Sequence, residues 1–142
     1  MVAATGIACL VFGSIILIGQ SISTIDFSLA QKLGLQERDE VTEPLFRGLE
    51  LNTARWDLFV LWTLPAAGAL MLVDHAWWPY LALVAGGVHV DTAGREMAKI
   101  LGLRAFGVKT GSTRDARTFL FVMVLMSLIG LWCVGMACAA LG

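Results

Sequence analysis

The stretch DLFVLWTLPAAGALMLVDHAWWPYLALVAGGVHVD, residues 57–91, decides how this chain folds. Three acids, Asp57, Asp74 and Asp91, frame two uncharged runs, Leu58–Val73 and, beyond His75, Ala76–Val90. A helix needs about 20 apolar residues to cross the hydrocarbon of a bilayer. Each run therefore crosses only by bringing an ionisable residue close to the apolar layer. Between the runs, Trp77, Trp78 and Tyr80 mark a membrane boundary, where an amphipathic ring finds both the surroundings it needs. Pro79 falls in the first turn of the second run, where its missing N–H is harmless. Pro65 lies inside the first run; it removes a backbone donor and crowds the Leu61 carbonyl, so a kink is expected there. The two runs read as a helical hairpin that turns at Asp74 and His75.

Outside this hairpin, residues 1–25 and 118–142 carry no charged side chain, and 58% of the chain is hydrophobic. That composition exceeds what soluble domains show. The expectation is an all-α fold: a single transmembrane domain, residues 1–142, with four spans at about 2–23, 56–73, 78–95 and 118–141. The first of these has no basic n-region and reads as a span rather than a cleaved signal. All ten Lys and Arg side chains fall within Lys32–Arg55 and Arg95–Arg117. The positive-inside rule then makes loops 24–55 and 96–117 cytoplasmic and places both termini outside a multi-pass cell-membrane protein. A net charge of −1 supplies no basic field for nucleic acid. Between spans 1 and 2, Phe27, Ala30 and Leu33 form one side of a short amphipathic cytoplasmic helix ended by Gly34. Pro44 starts a longer helix that runs on into span 2.

Small residues mark the expected helix contacts. Gly6, Gly13 and Gln20 recur every seven residues along span 1. Ala82 and Gly86 share a face of span 3 with His89 and Glu96, and Gly135 and Ala139 form a small-xxx-small pair on span 4. Cys9, Cys133 and Cys138 read as small packing residues, since no group has metal-ligand spacing. The segment Gly107–Ser112 lacks the Gly-Lys-Ser/Thr order of a phosphate loop, and His75 and His89 stand too far apart to hold a haem. No metal, cofactor or catalytic residue is assigned.

Depth, counted from the hairpin turn, brings charged residues together. Asp57 lies 18 residues before His75, level with Asp91 to Arg95. Arg55, Asp57, His89, Asp91, Arg95 and Glu96 are therefore expected to form a polar cluster near the cytoplasmic face. Such a cluster either ties helix ends together by ion pairs or relays protons or cations. The first use is the leading expectation and makes the protein a non-catalytic assembly or accessory subunit that self-associates or joins a larger membrane complex. The second makes it a small proton- or cation-coupled transporter or channel, and a membrane enzyme acting on a lipid or quinone headgroup is a third class. The basic segment 95–117 is expected to touch anionic lipid headgroups.

Overall fold

The computed structural model describes residues 1–142 and is all-α, 83% helical with no strand. Its helices are α1 (Val2–Ile25), α2 (Phe27–Lys32), α3 (Pro44–Leu61), α4 (Thr63–Leu72), α5 (Trp78–Ala105) and α6 (Thr113–Leu141). Local chemistry sets the boundaries. The Asp26 side chain ends α1 and starts α2 by accepting from the Leu29 N–H at 2.9 Å. Gly34, at φ +72°, takes the left-handed conformation that closes α2. Pro44 and Pro79 sit in the first turns of α3 and α5. The Ser112 hydroxyl caps α6, accepting from the Asp115 N–H at 3.2 Å and donating to the Asp115 carboxylate. At Trp62, three residues before Pro65, the helical path breaks between α3 and α4, and the Thr63 hydroxyl turns back to donate to the Val60 carbonyl at 2.8 Å.

Helices α1, α4, α5 and α6 pack side by side in that order, with α3 continuing α4 toward the Lys/Arg-rich end. Close approach depends on glycine. Gly6 and Gly13 rest on α4, where added Cβ atoms would lie 2.9 Å from Met71 Cβ and 2.6 Å from Pro65 Cδ. Gly86 of α5 faces Gly130 of α6, backbone against backbone. Ala82 is buried in the same core as Leu64, Ala67 and Cys133. The expected pair on α6 is corrected: Gly135 and Ala139 point outward, and Gly130, Cys133 and Ala137 face the core instead. Two positions of misjudged helical phase account for the difference.

Two helices, α1 with 24 residues and α6 with 29, are long and apolar enough to cross a membrane. Their outward side chains Ile7, Val11, Ile15 and Ile18, and Phe121, Leu128, Leu131 and Trp132, are each more than half exposed. In water such continuous apolar faces are not left uncovered. Helix α4, ten residues long, reaches only about 15 Å by itself.

Helices α1 and α6 meet at one end only. There Trp132 Nε1 donates to Thr5 Oγ1 at 3.1 Å, and the buried thiols of Cys9 and Cys133 lie 3.2 Å apart. Diamide treatment is expected to join them, the oxidant taking two electrons and two protons as the S–S bond forms. Tryptic fragments cut within 95–117 should then stay linked until reduced. Fragments that part without reductant would show that the helices do not touch here.

Candidate functional site

Toward the Lys/Arg-rich end α1 and α6 diverge, and a cavity of about 680 Å³ opens between them. Its polar floor comes from α3 and α5. Pro44 starts α3 so that Glu50 and Asp57, two turns apart, share one face. On α5, Glu96 turns to the same space, and Asp57 and Glu96 are 1% and 5% exposed.

Two cations stand behind these carboxylates. The Arg95 guanidinium lies 3.3 Å from Asp57 Oδ1 and 3.4 Å from Glu96 Oε1. Lys99 Nζ bridges Glu96 Oε2 at 2.5 Å and Glu50 Oε1 at 2.6 Å, and it also donates to Thr53 Oγ1 at 3.4 Å. The second Asp57 oxygen accepts from Gln20 Nε2 at 3.3 Å. Burial pushes the Glu50 carboxyl above its usual range, and the Lys99 ammonium pulls it back. On the cavity side three carboxylates thus share two cations, while Asp91 lies on the outer side of Arg95.

Of the six residues expected in the cluster, Asp57, Arg95 and Glu96 come together as anticipated. Asp91 reaches Arg95 at 3.8 Å but stays 78% exposed on the outer side. The other two are corrections. Arg55 lies exposed on the side of α3 away from the buried Ala54 and Asp57. His89 is fully buried two turns from Glu96, roughly 10 Å along the helix. Its Nδ1–H donates to the Ala85 carbonyl at 2.8 Å, so it belongs to the α5 core and not to the cavity. Sequence reasoning missed Glu50 and Lys99, although the seven-residue step from Glu50 to Asp57 and the three-residue step from Glu96 to Lys99 both signal a shared face. Gln20, expected on the packing face of span 1 with a side chain able to hydrogen-bond across it, donates to Asp57.

The two loops at this end close into one cap. Glu43 N–H donates to the Lys109 carbonyl at 3.1 Å, Gly111 N–H to the Val41 carbonyl at 3.0 Å, and Thr42 bridges Thr110. Arg104, in the last turn of α5, holds the second loop through Thr110 Oγ1 at 2.8 Å and the Ser112 carbonyl at 3.1 Å. Gly111, at φ +96°, leaves room for the Glu37 side chain. Burial first, then the facing Asp115 carboxylate, raises Glu37 to about 7, with Arg104 opposing. An acid raised on folding favours its protonated form. The cap is therefore unpenalised below the unfolded carboxyl range near ~4.3 and progressively loosened until Glu37 is ionised above about 7. Amide exchange in 107–112, corrected for intrinsic rates, is expected to be faster at pH 8 than at pH 6. Glu37→Gln should abolish the difference; a difference that persists in that variant would assign it elsewhere.

Comparison with protein family models, with curated proteins and with solved structures finds no match to this chain.

Proposed function

We propose that this chain is a small four-span membrane protein that takes up and releases a proton or a cation at the Glu50–Asp57–Glu96 cluster, working as a coupled transporter or channel. The spans are α1, the kinked Trp56–Val73 path through α3 and α4, the first part of α5, and α6. The cavity end faces the cytoplasm, because every Lys and Arg lies in the two segments at that end. Arg114 and Arg117, exposed at the start of α6, contact anionic headgroups there.

One observation carries the reading: three carboxylates share two cations beside a cavity. A buried carboxylate without a full counter-charge costs several kcal/mol, roughly, unless it binds a proton or another cation. The odd carboxylate is thus a group that loads and unloads. Liposomes holding the purified protein should carry a proton or alkali-cation flux that Asp57→Asn or Glu96→Gln abolishes. His89→Ala, which lies outside the cavity, should leave the flux in place. Flux indistinguishable from protein-free liposomes, or unchanged in both carboxylate variants, would end this reading.

A non-catalytic assembly role is the second reading. It is favoured by Gly135 and Ala139, which pack against nothing within the chain and lie beside an outward groove formed by Leu128, Leu131 and Trp132. A second copy seated there would give a dimer in mild detergent that Gly135→Leu disrupts. A monomer at all concentrations would count against it.

A further inference from the structure

The cavity is larger than a proton or a bare metal ion requires. Its volume of about 680 Å³ lies in the range of small-molecule sites, roughly 300–1,000 Å³. Its lining mixes charge and apolar surface: Glu50, Asp57 and Glu96 supply carboxylates, and Ile16, Leu61, Phe119 and Met126 supply an apolar part. Arg95 and Lys99 hold the carboxylates from behind and are not part of the wall. Lys32 and Arg38, which do line it, are exposed at the loop rim. Thr92, 3% exposed and one turn from Glu96, faces the space with its hydroxyl free of any hydrogen bond within the chain. Asp57 has only two bonds, both at 3.3 Å, so lone pairs remain for a further donor. Both α1 and α6 line it, and the few contacts between these two helices, Cys9 on Cys133 among them, leave a gap between them on the cavity side. Ile15, at the edge of that gap, is 62% exposed.

Resting on the membrane placement and cation exchange described above, we infer that the ligand is an organic cation with an apolar body, admitted sideways from the lipid layer between α1 and α6. Its charge settles against Asp57 and Glu96, supplying the cation the cluster lacks. Its apolar body lies against Leu61 and Met126, where an adaptable methionine tolerates varied shapes. Anions of the same shape are refused by the carboxylates, and small hydrophilic cations gain nothing from the apolar lining.

Tetraphenylphosphonium and tetraphenylborate test this directly, being nearly identical in shape and opposite in charge. With protein in lipid nanodiscs, equilibrium dialysis should give saturable phosphonium binding above that of empty discs and none for the borate. Asp57→Asn with Glu96→Gln should weaken phosphonium binding at least tenfold, and tetramethylammonium should not displace it. Because the carboxylate variant could misfold, Ile16→Trp provides a second arm: it fills part of the apolar lining with the charges intact and should also weaken binding. Equal binding of both ions, or phosphonium binding unchanged in both variants, overturns the inference. Carboxylate-dependent proton flux without phosphonium binding overturns it while leaving the proposed function standing. Phosphonium binding with no flux upholds it and removes the transport reading.

Discussion

Gly86→Val is expected to push α5 off α6 and to destabilise the chain strongly. A Cβ at Gly86 would lie 2.5 Å from the Gly130 carbonyl oxygen, and one at Gly130 would lie 2.7 Å from the Gly86 oxygen. Both obstacles are backbone, so no side chain can swing aside, and α5 must move as a unit. Overpacking of this kind costs about 1–3 kcal/mol, and a backbone obstacle belongs at the upper end. Gly87, the next residue, is the matched control. It is exposed and a Cβ there meets nothing within 4 Å. Gly87→Ala should leave stability unchanged or raise it by up to about 1 kcal/mol, the difference in helix propensity. Thermal denaturation in detergent, followed by loss of the monodisperse peak, separates the two. Equal behaviour of Gly86→Val and Gly87→Val would mean that α5 and α6 do not pack through this glycine pair.

Removing the bridging ammonium is the second large effect. Lys99 is the cation closest to both Glu50 and Glu96, and its side chain is only 17% exposed. Lys99→Met keeps the length of the stem and strands two carboxylates. Breaking a buried pair by deleting one partner costs about 3–5 kcal/mol, and partial access to the cavity places this one near the lower figure. The loss depends on pH. Glu50 is already pushed up by burial, and without Lys99 it rises further. An acid whose pKa rises on folding carries no penalty below its unfolded value and the full penalty above its folded one. The variant should therefore be close to wild type near pH 4.5 and most impaired at pH 8. Adding Glu50→Gln to Lys99→Met should recover much of the loss at pH 8. Denaturant midpoints at the two pH values measure this, and a loss that does not vary with pH would place Lys99 outside the charge cluster.

Much of the helix plan was legible before any coordinates. Uncharged runs, Pro44 and Pro79 at helix starts and Gly34 at a helix end are local signals, and the helices begin and end beside them. The line Gly6, Gly13, Gln20 also met the neighbours it implied, because a seven-residue step stays on one helical face. The site was legible in part. Asp57, Arg95 and Glu96 share a depth, and depth can be counted along a helix. Arg55 and His89 share nearly the same depth but face elsewhere, and the direction a side chain faces depends on how each helix is rotated against its neighbours.

Read alone, the order of residues determined that this chain is helical, that its outer helices are apolar enough for a membrane, and that its cations gather at one end. Those properties follow from composition and from periodicity within single helices. Only the tertiary structure decided that Glu50 and Lys99 join the cluster, that His89 leaves it, and that α1 and α6 part to open a cavity. These depend on how far apart the helix axes lie and how each is turned, and residues distant in sequence set both through glycine contacts such as Gly13 on Pro65 and Gly86 on Gly130.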